Sequence, residues 1–187
     1  DIFDTWDSVK DLVAQQEKLH PYNGVGCFND MDMLIVGMHG KGNVGLAGCS
    51  DVQYQTHYAL WALLGSPLMI GCETRRILMN DEMIRINQDP LCRQPYKVKN
   101  HAWNDKVLIY VKALADGDLA IGMFNLSDEK SRAAMNLDEI GLPFSTGHTL
   151  ELTEVWTGEN LCANNASLVI ELEPFASKVY RAKVVKL

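Results

Sequence analysis

Asn29-Asp30-Met31-Asp32-Met33-Leu34 places two carboxylates two residues apart, shortly after a run that opens with Gly24-Val25-Gly26. If this segment ends a strand, side chains at that spacing share one face. Two like charges on one face are costly to desolvate together, so the pattern indicates a site that uses them, with hydroxyl groups or cations as partners. The alternative is a solvated turn, because short polar clusters mostly mark loops.

Three further blocks accompany this hexapeptide. Asp1-Ile2-Phe3-Asp4-Thr5-Trp6 precedes it, and the blocks YALWALLGSPLMIGC (58–72) and IRINQDPL (84–91) follow it. In this order and spacing, the four blocks resemble the C-terminal half of the α-galactosidases of glycoside hydrolase family 27. The resemblance is specific from Asp1 to about Pro90 and looser from there to the C-terminus.

The first half of the chain has α/β organisation. Apolar periodicity predicts helices over residues 9–19, 52–64 and 75–86, and the short apolar runs 34–37 and 68–71 predict strands, the second buried on both faces of a parallel sheet. The glycine-rich residues 38–51 form a loop that is either a substrate-contacting loop or a solvated connector. The resemblance implies that this half is the last part of a (β/α)8 barrel.

The second half has the texture of an antiparallel β-sandwich. Short β-rich runs over 106–111, 119–124, 150–156, 167–172 and 178–182 are separated by turn residues, and Asp116-Gly117 is a strong hairpin signal. Trp156 and Tyr180 are interpreted as core residues, with sugar stacking as the alternative. The predicted domains are therefore residues 1–92, the barrel portion, and 93–187, the sandwich.

Composition limits the function classes. The 187 residues are 47% apolar and carry a net charge of −7, which argues against nucleic acid or an anionic membrane as a partner and suits a neutral substrate. Five cysteines without a CxxC pair suggest neither a zinc site nor a disulfide framework. Their odd number favours reduced thiols and a cytoplasmic location, while a secreted or lysosome-like location and a homo-oligomer stay open.

The carboxylates that could carry chemistry are Asp1, Asp4, Asp30 and Asp32, and their spacing alone does not reveal which one reacts. The family resemblance implies a role for each. It implies that Asp1 is the general acid/base and that Asp32 and Met33 contact the sugar, with Asp30 and Asp4 in supporting positions. Met33 has an alternative interpretation as core packing.

The implied activity is that of a retaining glycosidase removing terminal α-linked galactose, without metal or organic cofactor. The nucleophilic aspartate of the family follows the fourth barrel strand, so it is expected in the remainder of the enzyme upstream of residue 1. The 187-residue chain alone is therefore expected to be inactive. The open alternatives are α-N-acetylgalactosaminidase, β-L-arabinopyranosidase and a non-catalytic carbohydrate-binding fragment.

The sequence departs from the family pattern in two places. The family commonly has His-Trp-Asn-Asp-Pro-Asp-Met where this chain has Cys27-Phe28-Asn29-Asp30-Met31-Asp32-Met33. Both aspartates are kept, so a slight change of geometry is expected with the same chemistry. The connection from Cys72 to Arg75 is also shorter than the family's.

Overall fold

The chain contains two compact units, Asp1–Gln94 and Pro95–Leu187, in a computed structural model that describes residues 1–41, 45–70, 75–163 and 166–187. The short connection after Cys72 lies outside the described residues. Each unit is described by itself. No helix within the described ranges is long and apolar enough to cross a membrane.

Helix α1, Trp6–Glu17, confirms the first predicted helix and begins three residues earlier than expected. Thr5 accounts for the earlier start, because its hydroxyl accepts a hydrogen bond from the Ser8 amide at 3.3 Å and caps the helix. The helix buries Val9 and Val13 and is followed by the 3₁₀ turn His20–Tyr22.

Helix α2, Asp51–Leu63, confirms the second predicted helix and is buried along most of its length. A capping box fixes its start. The Ser50 hydroxyl accepts from the Gln53 amide at 3.3 Å, and the Gln53 side chain accepts from the Ser50 amide at 2.8 Å. This helix supplies much of the core of the first unit.

The single helix predicted over residues 75–86 is wrong, because the structure has two. Helix α3 spans Arg75–Leu78 and helix α4 spans Asp81–Asn87. Asn80 separates them, since its side chain accepts from the Met83 amide at 2.9 Å and starts a new helix.

The predicted strands of the first unit are present only as a parallel bridge between Leu34 and Ile70. Leu34 is buried, but Met69 and Ile70 are 57% and 62% exposed, so the second run is not buried on both faces within this unit. Within the described residues, the main chain at Leu34 pairs with a neighbouring segment on one side only, at Ile70. Gly24–Cys27 is likewise a tight turn closed by an antiparallel bridge, and no strand opens there.

The second unit is an antiparallel sandwich of eight strands within the described residues. A six-stranded sheet has the order β1-β2-β3-β8-β5-β6, and β4 pairs with β7 in a second sheet. The bounds are β1 Tyr96–Val98, β2 Val107–Ala113, β3 Leu119–Asn125, β4 Ser131–Asn136, β5 His148–Glu154, β6 Asn160–Cys162, β7 Ser167–Leu172 and β8 Ser177–Lys186. Two 3₁₀ turns, Leu137–Ile140 and Phe144–Thr146, lie between β4 and β5.

The five predicted β-runs are confirmed, as is the Asp116-Gly117 hairpin, which joins β2 to β3 with Ala113 opposite Leu119. Gly117 has a φ of 89°, which explains the glycine. Sequence reasoning missed β1 and β6, which are too short to show a period, and β4, whose Ala133-Ala134 pair has low β-propensity. Alternate residues of β2 and Tyr180 belong to the buried core, in agreement with the structural interpretation of Tyr180.

Candidate active site

Asp30 and Asp32 lie in an irregular segment, residues 28–33, where the Asp30 side chain forms an Asx turn with the Asp32 amide; this segment is called the acidic turn below. The Asp32 amide donates to Asp30 Oδ1 at 2.9 Å, and Asp32 Oδ1 accepts from the Met33 amide at 2.7 Å. Asp32 has a φ of 73°, in the left-handed region. The expectation that the two carboxylates share one face of a strand is therefore wrong, because local side-chain to main-chain bonds replace the strand pattern.

The turn meets the beginning of the chain at Asp32. Its Oδ2 atom accepts a hydrogen bond from the Ile2 amide at 2.7 Å, and the main-chain nitrogen of Asp1 lies 3.9 Å from the same oxygen. Two segments thirty residues apart in sequence thus converge on one carboxylate. The structure thus places the main chain of Asp1 and Ile2 beside the Asp32 carboxylate.

The other candidate side chains around this turn face solvent. Asp1 and Asp30 are exposed, and Asp32 keeps 30% of its side-chain area accessible. Met33 is 44% exposed, so it is not packed in the core of this unit. The three carboxylates and Met33 can all be reached by a ligand.

Asp4 is different, because it is completely buried. Its carboxylate accepts from the Gly40 amide at 2.7 Å, the Cys49 amide at 3.3 Å and the Tyr54 hydroxyl at 2.7 Å. Three donors satisfy the desolvated charge. Asp4 therefore anchors the glycine-rich loop and does not face the exposed carboxylates.

Tyr54 completes this anchor from α2. Its hydroxyl oxygen accepts from the His39 amide at 2.7 Å and from the Cys49 amide at 3.1 Å while its proton is donated to Asp4. Burial and then the hydrogen bond to Asp4 raise the pKa of Tyr54 well above its usual value. Burial and then the Asp4 charge raise the pKa of the Cys49 thiol to about 12. Both groups stay protonated at neutral pH, so Cys49 is not a nucleophile.

Two glycines let the loop close on itself. Gly40 and Gly48 have φ values of 76° and 81°, and a Cβ atom on either one would collide with main-chain atoms across the loop. Only glycine fits such a close approach. The described parts of this loop, residues 38–41 and 45–51, are therefore compact around Asp4, which a solvated connector would not need to be.

Sequence reasoning missed three residues that form hydrogen bonds with the main chain of the acidic turn or of the residues just after it. The indole nitrogen of Trp61 donates to the Asp32 carbonyl oxygen at 2.9 Å, and the Ser66 hydroxyl accepts from the Met31 amide at 3.0 Å. His57 Nε2 accepts from the Ile35 amide at 3.1 Å. The available signal was the spacing of ring side chains along α2, but it also fits simple core packing.

Burial lowers the pKa of His57 to about 3, so its imidazole is neutral and Nε2 can accept the hydrogen bond from Ile35. The thiols of Cys27, Cys49, Cys92 and Cys162 are free, and Cys72 lies outside the described residues. Among the residues described, no three His, Cys, Asp or Glu side chains are grouped as a metal site would need.

Two family profiles match consecutive parts of the chain. The profile described as "Alpha galactosidase A" matches residues 1–89, and the one described as "Alpha galactosidase C-terminal beta sandwich domain" matches residues 104–182. The chain belongs to the melibiases of glycoside hydrolase family 27. The predicted fold class is thereby confirmed: the C-terminal part of a (β/α)8 barrel followed by an antiparallel β-sandwich.

Curated relatives agree with the family 27 assignment. The chain is 28% identical to an α-galactosidase of Cyamopsis tetragonoloba over 187 residues, covering 96% of this chain and 42% of the relative. It is 34% identical to a probable α-galactosidase of Dictyostelium discoideum, covering 86% and 41% respectively. A Gallus gallus α-N-acetylgalactosaminidase is 32% identical, with 85% and 39% covered. The chain thus spans about 40% of the length of these relatives.

Solved crystal structures share the fold. The β-L-arabinopyranosidase of Geobacillus stearothermophilus superposes with a TM-score of 0.79 at 24% identity, covering 98% of this chain and 43% of that one. α-Galactosidase I of Mortierella vinacea superposes with a TM-score of 0.73 at 21% identity, covering 95% and 44%. At these identities the superpositions establish the architecture and not the substrate.

Proposed function

We propose that this chain is part of a retaining α-galactosidase, which removes terminal α-linked galactose from oligosaccharides or glycoconjugates. The observation that carries the proposal is the hydrogen bond from the Ile2 amide to Asp32 Oδ2 at 2.7 Å. It joins the segment of the candidate acid/base, Asp1, to that of the candidate sugar-binding carboxylate. Membership of family 27 and the names of the curated relatives support the same activity.

Asp1 is the proposed general acid/base. Retaining hydrolysis uses two carboxyl groups roughly 5 Å apart, one as nucleophile and one that first protonates the departing oxygen and then deprotonates water. The main-chain nitrogen of Asp1 lies 3.9 Å from Asp32 Oδ2, so the proposed acid/base belongs to the segment that contacts the proposed sugar-binding carboxylate. Asp1 takes the acid/base role, and the nucleophile is supplied by a part of the enzyme outside this chain.

Asp32 has the right free capacity to bind sugar hydroxyl groups. A carboxylate offers about four lone-pair positions. Two are used by the Ile2 and Met33 amides, one on each oxygen. The remaining positions accept from hydroxyl donors, and hydrogen bonds to a charged acceptor are stronger than neutral ones. Met33 then lies beside the sugar as an exposed apolar contact.

Carboxylates are sufficient for this chemistry, because proton transfer and stabilisation of the oxocarbenium-like transition state are both carboxylate functions. The proposed enzyme therefore uses neither a metal nor an organic cofactor. Its substrate is a neutral glycoside, in keeping with the acidic net charge of −7.

α-N-Acetylgalactosaminidase is the second candidate, favoured by the similarity to the Gallus gallus enzyme. Both activities use the same carboxylates and differ in the group that the enzyme accepts at sugar C2. The residues that make this distinction are expected in the remainder of the enzyme, upstream of Asp1.

The experiment is a substrate comparison with the complete protein that contains this chain. Aryl α-galactoside, aryl α-N-acetylgalactosaminide and aryl β-L-arabinopyranoside are offered in parallel, and NMR identifies the anomer released first. Preferred hydrolysis of the α-galactoside with retention is expected. Preference for either other glycoside reassigns the substrate, and release of the inverted anomer contradicts the mechanism. The 187-residue chain, expressed alone, is expected to be inactive.

A further inference from the structure

One face of α2 carries three ring side chains. Each of them forms a hydrogen bond with the main chain of a residue between Asp32 and Cys49. Tyr54, His57 and Trp61 are spaced i, i+3 and i+7, so they lie on the same side of the helix. Tyr54 contacts the glycine-rich loop and His57 contacts the Ile35 amide. Trp61 alone among these three contacts Asp32 itself, through Nε1–H and the Asp32 carbonyl oxygen at 2.9 Å.

The Asp32 main chain needs such support because of its conformation. A φ of 73° is uncommon for any residue other than glycine, although aspartate tolerates it better than most. The bond to Asp30 holds the amide side of Asp32, and the bond to Trp61 holds its carbonyl side. The first partner is an exposed side chain on the same turn, whereas the second belongs to a buried helix.

Trp61 is itself rigidly held. Its side chain is completely buried, and the His57 ring packs edge-on against it, with centroids 4.1 Å apart and planes at 74°. His57 in turn accepts from the Ile35 amide three residues beyond Asp32. The indole N–H therefore points at the Asp32 carbonyl from a fixed position.

We propose that Trp61 is a positioning residue for the active site: its indole N–H fixes the left-handed conformation of Asp32 and so presents the Asp32 carboxylate to the ligand. The ligand-binding consequence rests on the proposed function. Trp61 touches no substrate in this scheme, and its effect passes through the main chain of Asp32.

The test uses the complete enzyme with two changes at position 61. Trp61→Phe removes the N–H and some volume, whereas Trp61→β-(3-benzothienyl)alanine keeps the bicyclic ring and replaces the N–H by a sulfur atom, which cannot donate a hydrogen bond. The matched control is Tyr58→Phe, which removes a hydroxyl that donates to the Leu78 carbonyl oxygen at 3.2 Å on the same helix. Melting temperature is recorded for all three, so that loss of stability is measured separately from loss of binding.

Loss of the N–H should raise the galactose Kd and the galactoside KM about five- to tenfold, the equivalent of one hydrogen bond, with a smaller change in kcat. Tyr58→Phe should leave both constants unchanged. In an Asp32→Asn background, the change at position 61 should have little further effect, because the carboxylate it positions is absent. An unchanged KM in the benzothienyl variant, or independent effects in the double variant, would overturn the proposal.

A second measurement does not depend on any sugar. Hydrogen–deuterium exchange at the amides of residues 31–34 should accelerate in both Trp61 variants and not in Tyr58→Phe. Unchanged exchange there refutes the positioning role whatever the substrate is. If the wild-type enzyme binds no galactose, the proposed function fails, and the exchange result still decides whether Trp61 holds Asp32.

Discussion

The hydroxyl of Tyr54 donates a 2.7 Å hydrogen bond to Oδ1 of the buried Asp4, joining positions fifty residues apart. The same hydroxyl accepts from two loop amides, so helix α2, the glycine-rich loop and the start of the chain meet at one point. A buried carboxylate is tolerated there because its two oxygens accept three hydrogen bonds, from Gly40, Cys49 and Tyr54.

Asp4→Asn should lower the free energy of unfolding of the complete protein by about 1–3 kcal/mol, because an amide cannot replace a charged acceptor of three hydrogen bonds. Chemical denaturation measures it. The matched control is Asp7→Asn, since Asp7 is exposed on α1 and pairs only with Lys10 at 2.7 Å among the ion pairs of the described residues. Equal, small effects of the two substitutions would show that Asp4 does not anchor the loop.

Asp1→Ala should lower activity on natural galactosides far more than on aryl galactosides whose phenolate leaves without protonation. General acid catalysis is commonly worth about a hundred- to ten-thousand-fold. Azide should partly restore turnover of the aryl substrate, since it needs no deprotonation to attack the glycosyl-enzyme. If both substrate types lose activity equally and azide has no effect, Asp1 is not the acid/base.

Asp32→Asn should weaken galactose binding by about 1.5–3 kcal/mol, the range for hydrogen bonds to a charged group. Asp30→Asn is the control, because an asparagine there keeps the side-chain oxygen that accepts from the Asp32 amide. Inhibition by galactose gives the binding constants. A well-folded Asp32→Asn enzyme with unchanged inhibition would leave Asp32 only a structural role in the turn.

The lowered pKa of His57 predicts that the free energy of unfolding depends on pH. Its pKa is about 3 in the folded protein and near the ordinary 6.5 in the unfolded chain, so the unfolded state takes up the proton first. The contribution of the neutral imidazole to the free energy of unfolding is fully present above about pH 6.5. It is lost as the pH falls towards 3, by at most about 1.4 kcal/mol per pH unit. Denaturation of wild type and His57→Gln across this range measures it; parallel curves would contradict the assignment.

Limited proteolysis of the chain should leave a resistant core that begins near Pro95, where the second compact unit starts. The sandwich has its own buried core, whereas the first unit exposes the apolar Met69 and Ile70. N-terminal sequencing of the stable product gives the boundary. A resistant product that instead begins near Asp1 and ends before Pro95 would reverse this ranking of the two units.

The sequence predicted correctly those elements whose signal lies within a short stretch of neighbouring residues. Helices α1 and α2 followed from apolar periodicity, and the β2–β3 hairpin from Asp116-Gly117. A turn at Asp32 was the open alternative to a strand end, but its left-handed conformation did not follow from the sequence, because it depends on Asp30 and on Trp61, which is twenty-nine residues away. The division at Asn80 was missed because a capping asparagine inside an apolar pattern has little effect on the periodicity.

The same difference separates the site residues that the sequence predicted from those that it did not. The exposed carboxylates Asp1, Asp30 and Asp32 were singled out from the sequence itself, whereas Met33 and the role of each residue came from the family resemblance, and those roles stay predictions. The buried supports Tyr54, His57, Trp61 and Ser66 were not named, because their contacts with residues 31–49 form only after the chain has folded. A ring on a buried helix face looks the same in sequence whether it fills space or directs a hydrogen bond.

Strand β8 lies in the middle of the six-stranded sheet, between β3 and β5, although it comes last among the eight strands in the chain. The ribosome therefore completes the flanking strands before it makes the strand that joins them. A stop codon before residue 177 would separate the sheet into β1-β2-β3 and β5-β6, each with an unpaired edge. In a gene for this protein, late nonsense and frameshift changes should consequently be as damaging to the sandwich as early ones.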